Sequence, residues 1–369
     1  MEQTIHRAPG AEDRALAVRK LDEALRRGMG RATTVVERVM STLPHDAIVR
    51  ASAATFTASD TALTMHVGAD NRWTFHPHAF GQVAEVCASK GTAYLAALRE
   101  GEPWQRTMLA NILTETLHHS TSRHLVRAVG GDGNGVREAR GFLSDKYKRI
   151  DSRPVVEAFI QGARALGGEP YDASGMDTRH NIKFIRTDIR EPAPGEYVAF
   201  GVEQSSGDFG GVAHQIRRFV VRLWCLNGAT VEDLCRAVHL GSRLSDEIAF
   251  SDRTMQLDTA ALVSATEDVV KASLAPANID AECARIGAAA AKHVDVKRAF
   301  GPLAASLTKA ELERAQEAFS GPDVVNLPEA PTVWRASNVL SLMAQRSDLA
   351  PERREDFERY AGALLKAAA

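Results

Sequence analysis

The feature that most restricts the fold is the succession of short apolar strands and turns between residues 122 and 226. Between the second and third strand, an apolar helical stripe begins near Pro154 and ends at Gly167 and Gly168. The connections are too short for repeated βαβ crossovers, so neighbouring strands should be antiparallel. The predicted strands span residues 122–129, 136–143, 181–186, 197–204 and 215–226.

A further helix is expected after the last strand. Asn227 and Gly228 form a turn, and Thr230 with Asp233 resembles a capping box, with Asp in place of the usual Glu. The element order is then strand, strand, helix, strand, strand, strand, helix. We therefore predict an α+β fold with a central, mostly antiparallel sheet and with helices at the N- and C-terminal ends.

The flanking regions divide the chain into three predicted parts. Residues 1–50 form an N-terminal helical arm, because 12–43 have helical spacing and Gly28 with Gly30 interrupt it, which favours a mobile arm over a core helix. Residues 51–250 form the α+β core, which also includes a strand at 62–67 and helices at 77–98 and 104–119. Residues 251–369 form a helical, Ala-rich region, interrupted by a loop at 321–331.

Composition places the chain among soluble globular proteins. It has 369 residues, 45 Lys and Arg, 47 Asp and Glu, and a formal net charge of −2. No run approaches 18 apolar residues, and the N-terminus lacks the apolar core of a signal peptide, so a cytoplasmic protein is expected. The four cysteines are widely spread, which indicates neither a disulfide framework nor a structural zinc site.

Motifs for catalysis and cofactor binding are absent from the sequence. There is no Walker loop, no GxSxG and no HExxH, and the glycines at 130–135 precede a strand instead of a helix, which favours a hairpin tip over a phosphate loop. We assign no catalytic residue, no metal ligand and no cofactor. One looser group of polar residues leaves a metal-dependent nuclease as an alternative: His180, Asp188, Glu203, Asp208 and His214.

Basic residues give the strongest indication of a ligand. Between residues 120 and 153 there are eight Lys and Arg against four Asp and Glu. On the last predicted strand Arg218, Arg222 and Trp224 share one face, which suits a phosphate backbone and a stacked base. The alternative is that these arginines form ordinary ion pairs and that Arg222 is a buried one. The candidate nucleic-acid-binding residues are Arg123, Arg127, Arg137, Arg140, Lys146, Tyr147, Lys148, Arg149, Arg218, Arg222 and Trp224.

Several motifs resemble a family found in phages and plasmids and described as domain of unknown function 932. The most specific are GFLSDKYKRID at 141–151 and RLWCLNG at 222–228, and PHAFGQ at 77–82 and GVEQSSG at 201–207 are looser. The similarity covers roughly residues 75–365. It implies a mobile-element setting without an assigned activity. The chain departs from the family at 204–206, where Asn-Ser-Glu is more usual, which weakens a carboxylate site at that turn.

The predicted element order also resembles the core of phage single-strand annealing proteins, which assemble as rings or filaments and bind strands in a basic groove without a nucleotide cofactor. This fold-level analogy, with the basic residues, predicts a mobile-element protein that binds nucleic acid, with single-stranded DNA favoured. Strand annealing or recombination, homo-oligomer formation and no membrane partner are the corresponding expectations. The alternative is a structural or interaction protein of a mobile element, acting in counter-defence or assembly.

Overall fold

A computed structural model describes residues 11–131, 135–224, 226–237, 251–321 and 327–368. The chain is a mixed α+β fold with two mostly antiparallel sheets and with N- and C-terminal helices. The predicted fold class is confirmed. The strands are divided between two sheets, however, where the sequence analysis expected one central sheet. Within the described ranges, no helix is both long and apolar enough to cross a membrane.

The helices begin where local sequence favours a helix start. Ser251, Thr308 and Thr332 each precede a helix and accept a hydrogen bond from a backbone amide of its first turn. Four other helices begin with proline, whose missing amide proton is not needed at that position. The α-helices of the described residues are α1 (Ala11–Ser41), α2 (Pro77–Ala88), α3 (Thr92–Glu100), α4 (Pro103–His118), α5 (Ser152–Ala165), α6 (Asp252–Leu274), α7 (Pro276–Ala291), α8 (Val296–Phe300), α9 (Lys309–Ser320), α10 (Val333–Ala344) and α11 (Pro351–Ala368).

The first sheet packs one face against α2, α3 and α4. Its strands are β1 (His45–Arg50), β2 (Thr55–Ala58), β3 (Leu63–Val67), β4 (Asn71–Phe75), β5 (Arg123–Val129) and β6 (Val136–Ser144), in the order β1-β5-β6-β4-β3-β2. Only the β4–β6 pair is parallel within this sheet. Alternate side chains such as Met65, Trp73 and Phe142 enter a core shared with Val83 and Leu109 of the helices.

The second sheet is covered on both faces. Its strands are β7 (Gly168–Gly175), β8 (His180–Arg186), β9 (Arg190–Ala193), β10 (Glu196–Ser206), β11 (His214–Arg222) and β12 (Asn227–Ala237), in the order β12-β11-β10-β8-β7 with β9 paired to β10. One face meets α5 and α6 and, farther along, the helices from α7 to α11. Tyr197, Ala199 and Phe219 on the other face pack against the first half of α1.

Most of the strands predicted in the middle of the chain are present. β5, β6, β8 and β10 match their predicted ranges within two residues, and β11 ends at Arg222, four residues before the predicted end. Strands β1, β2, β4, β7 and β9 were not predicted. The helical character expected from residue 255 onward is confirmed by α6 to α11. The hairpin tip at 130–135, Cys225 and the loop at 321–331 lie wholly or partly outside the described residues.

The prediction of a helix that begins near Thr230 is wrong, because this segment forms strand β12. It pairs with β11 from Arg222↔Asn227 to His214↔Ala237. A helix cap contributes about 1 kcal/mol. Pairing with β11 instead satisfies backbone donors and acceptors along the whole segment, which outweighs one local capping pattern.

Helix α1 is part of the core, which differs from the expected mobile arm. Leu21 and Val35 are buried against the second sheet. Gly28, expected to interrupt the helix, lies against β7, where an added Cβ would be 1.9 Å from the carbonyl oxygen of Tyr171. Gly28 therefore permits the close approach of α1 to β7. A Cβ added at Gly30 would have no atom within 4 Å, so packing does not require glycine at this position.

Gly28→Ala and Gly30→Ala should have opposite effects on stability. At position 28 the methyl group overlaps the β7 backbone, and we expect a loss of roughly 1–3 kcal/mol in the free energy of unfolding. At position 30 alanine favours the helix, and we expect a gain of up to about 1 kcal/mol. Urea denaturation followed by circular dichroism measures both. Equal changes for the two variants would contradict the docking of α1.

Candidate nucleic-acid interface

The most specific sequence motif lies beside a groove of the surface. Residues 144–153, which we call the basic segment, run from the end of β6 into the first turn of α5 and contain Lys146, Lys148, Arg149 and Arg153. A cavity of about 730 Å³, which we call the groove, separates this segment from α6. Its walls include Asp46, Arg149, Asp151, Pro154, Met255, Gln256, Thr259, Ala260, Val263, Ser264 and Glu267.

The cations of the basic segment are partly exposed and close to carboxylates. Lys148 Nζ is 2.6 Å from Asp258 Oδ1 of α6, and Arg149 Nη1 is 3.2 Å from Asp46 Oδ2 of β1. Arg153 is about half exposed and 3.8 Å from Glu157. The exposed Arg153 pair contributes about 0–1 kcal/mol. The pairs of Lys148 and Arg149 are half-buried, and their carboxylates neutralise part of the positive charge of the segment.

Arg123 extends this cationic surface from the start of β5. Its Nε lies 3.7 Å from Asp145 Oδ2, and its side chain is 54 % exposed. Lys146, two residues after Ser144, is half-buried. Tyr147 is half-buried as well, and burial raises the pKa of its phenol, with Arg127 and Asp208 as its charged neighbours. Tyr147 is thus packed against protein groups, and only part of its ring is accessible for stacking on a base.

Arg127 is a structural residue, in contrast to its predicted role in binding. Its side chain is 2 % exposed, with Nε 2.8 Å from Asp46 Oδ1 and Nη2 2.6 Å from Asp151 Oδ1. Nη1 donates to the carbonyl oxygen of Asp208, at 2.8 Å. Burial disfavours the charged form, but the surrounding carboxylates more than offset this, and the pKa of Arg127 is raised. The guanidinium joins β1, β5, the start of α5 and the loop after β10.

The other two arginines of the predicted hairpin differ in their surroundings. Arg140 is 18 % exposed, and its Nε lies 2.7 Å from Glu138 Oε2 on the same strand. Arg137 is half-buried at the beginning of β6, opposite Trp73 of β4. These two side chains are separate from the basic segment, which follows the other end of β6.

The prediction that Arg218 and Arg222 line an exposed sheet face is wrong. Arg218 is buried with its Nη1 3.2 Å from Glu282 Oε1 of α7, and Arg222 is buried with its Nη2 2.8 Å from Glu196 Oε1 of β10. Trp224 donates from Nε1 to the carbonyl oxygen of Gly195, at 2.6 Å. The alternative interpretation as buried ion pairs describes the two arginines correctly, because helices cover the face that carries them.

The polar group considered for a metal does not assemble. The carboxylate of Glu203 is held by Arg217 at 2.8 Å and Lys183 at 3.2 Å, and that of Asp188 by Arg186 at 2.5 Å. Asp208 Oδ1 accepts a hydrogen bond from the amide of Ser152, at 2.7 Å. In the part of the chain that the structure describes, no cluster of three His, Cys, Asp or Glu side chains has a geometry suitable for a metal ion.

Sequence analysis missed a buried charge network on the second sheet. Lys183 Nζ lies 3.2 Å from Glu203 and 2.9 Å from Glu358 of α11. Burial disfavours the charge of Lys183, yet Glu358 and Glu203 more than offset this and raise its pKa. The polar run from Glu203 to Ser206 within an otherwise apolar strand was the available signal, since buried polar residues on a strand require partners.

Comparison with known proteins adds no relative. No protein-family model matches the chain, and neither a curated protein nor a solved structure is significantly similar to it. The resemblance to the family of unknown function 932 therefore stays a prediction.

Arg127→Ala should destabilise the protein far more than Arg123→Ala. The first change leaves Asp46 and Asp151 without their shared cation, and we expect a loss of about 3 kcal/mol in the free energy of unfolding. The second removes an exposed pair on the same strand, and we expect less than about 1 kcal/mol. Urea unfolding midpoints measure both, and similar midpoints would exclude the structural role of Arg127.

His180 should make stability depend on pH between about 6.5 and 4. Burial lowers the pKa of its ring from 6.5 to about 4, so the unfolded chain takes up the proton first as the pH falls. The contribution of His180 to the free energy of unfolding is fully present above pH 6.5. It decreases toward pH 4, by up to about 3 kcal/mol. His180→Gln should reduce this decrease, measured by urea unfolding at several pH values. The exposed His118→Gln variant should retain it, and an equal decrease in both would contradict the assignment.

Proposed function

We propose that the protein binds nucleic acid along the basic segment, with single-stranded DNA as the favoured ligand. The observation that carries the proposal is the basic segment itself, where Lys146, Lys148, Arg149 and Arg153 follow one another and Arg149 lines the groove. Arg123 adds a further cation, paired with Asp145 of the same segment. A strand that follows the rim would place successive phosphates near these cations.

The acidic partners of these cations fit such a ligand. Lys148 is 32 % and Arg149 30 % exposed, so a phosphate at the rim can share these cations with Asp258 and Asp46. The walls of the groove carry Asp46, Asp151 and Glu267 as well, and these repel phosphate from the floor. The proposed path is therefore the rim of the groove and not its interior.

Strand annealing or recombination in a phage or plasmid is the biological role that accompanies this proposal. It is supported by the sequence resemblance and by the absence of a Walker loop in the sequence, because annealing proteins of that type need no nucleotide hydrolysis. A homo-oligomer belongs to the same proposal, since such proteins act as rings or filaments. The role rests on analogy, whereas nucleic-acid binding itself rests on the basic segment.

An interaction protein is the second candidate function. The three helices that cover the first sheet expose large apolar side chains, with Trp104 65 %, Tyr94 58 % and Val86 45 % exposed. Exposed aromatic residues are enriched in protein interfaces. These side chains favour a protein partner if nucleic acid does not bind.

The Lys146→Gln, Lys148→Gln double variant tests the nucleic-acid proposal. Wild-type protein should retard labelled single-stranded DNA at low salt, with affinity that decreases steeply as salt rises. Removing two phosphate contacts should lower the slope of log K against log salt by about 1.4, since each contact to a single strand contributes about 0.7. Fluorescence anisotropy over a salt series measures the slope, and light scattering of the same samples measures the oligomer.

The matched control is Lys90→Gln, Lys366→Gln, which removes the same charge from exposed lysines on other elements. Its affinity and salt slope should remain at wild-type values. If folded wild-type protein does not bind at low salt, or if both double variants lose affinity equally, the basic segment is not the binding surface.

A further inference from the structure

A second cavity, separate from the groove, lies where both ends of the described chain meet the second sheet. We call it the pocket. It has a volume of about 610 Å³ and lies between α1, the β-strands 7, 8 and 11, and the helices α10 and α11. Tyr171, Phe219 and Val221 form its apolar wall, and Arg27, Lys183 and Arg354 bring positive charge to it. The volume is within the range of sites for small organic molecules.

Two of the cations in the pocket are already neutralised. Lys183 lies between Glu203 and Glu358, and Arg31 Nε is 2.8 Å from Asp172 Oδ1. The positive charges of Lys183 and Arg31 are therefore balanced by neighbouring carboxylates.

Arg27 and Arg354 supply the positive charge of the pocket that no ion pair balances. Among the described residues, neither guanidinium forms an ion pair within 4.0 Å, and the carboxylate that acts electrostatically on Arg354 is that of the exposed Asp348. Arg27 projects from α1 with an exposed side chain. Arg354 is half-buried on α11, donates from Nη2 to the carbonyl oxygen of Ser347 at 3.1 Å, and has a buried Nε without a hydrogen-bond partner. Arg27 and Arg354 both line the pocket, so an anion bound there would face two guanidinium groups that have no ion-pair partner within 4.0 Å.

Phosphate is the anion that this arrangement fits best. Guanidinium groups bind phosphate oxygens through paired hydrogen bonds, more strongly than neutral donors do. The apolar wall beside the two arginines suits the carbon skeleton or ring that carries the phosphate. We propose that the pocket binds a small phosphorylated molecule, with its phosphate held by Arg27 and Arg354 and its organic part against Tyr171.

Isothermal titration calorimetry with four probes tests this proposal: inorganic phosphate, glucose 6-phosphate, AMP and ATP. At least one should bind the wild-type chain, and Arg27→Gln and Arg354→Gln should each weaken that binding about tenfold. Tighter binding of AMP than of glucose 6-phosphate would identify a nucleotide, and the reverse order would identify a sugar phosphate. Thermal unfolding of each variant shows that it is folded.

The matched control is Arg26→Gln, which removes an exposed guanidinium one residue away that does not line the pocket. Its affinity for the same probe should be within about twofold of wild type. Absence of binding by all four probes, or an equal loss in Arg26→Gln, would overturn the proposal. This result is independent of the DNA experiment, because the pocket shares no residue with the basic segment.

Discussion

The interaction on which the arrangement of the two sheets depends is the buried guanidinium of Arg127. It binds Asp46 and Asp151 through separate nitrogens and donates a third hydrogen bond to the loop after β10. The same loop is held from the first sheet's side by Gln82, whose Nε2 donates to the carbonyl oxygen of Phe209 at 3.0 Å. Because a buried charge without partners is very unfavourable, these four segments have to meet around one residue, and the start of α5 is fixed with them.

This position also determines where the basic segment can run. Its last residues are held where Asp151 meets Arg127 and where the amide of Ser152 donates to Asp208. The segment is therefore a short, restrained connection, with Lys148 held at Asp258 of α6 and with Tyr147 half-buried among protein groups. A rigid connection presents charged side chains with less loss of conformational entropy than a flexible loop would.

The sequence patterns predicted the fold better than the site. Continuous apolar runs identified β8 and β10, because both strands are buried along nearly their whole length. Alternation along the strand at 215–226 placed Arg218 and Arg222 on one face, correctly, but could not show that this face is covered. Their partners Glu282 and Glu196 lie 64 and 26 residues away along the chain, and no local pattern connects them. The basic content of residues 123–149 was likewise visible, although the burial of Arg127 among three distant acidic residues was not.

The charge network on the second sheet has a consequence for the way in which the chain folds. Arg179 and Lys183 meet carboxylates of α11 that lie 173 to 176 residues later in the sequence. The contacts of Arg179 and Lys183 with α11 can form only after α11 has been synthesised, whereas Glu203 meets Lys183 and Arg217 within the sheet itself. Contacts of such long sequence separation slow folding and leave intermediates prone to aggregate. The C-terminal helix α11 therefore contributes to the charge balance of a sheet whose strands lie more than 100 residues earlier in the chain.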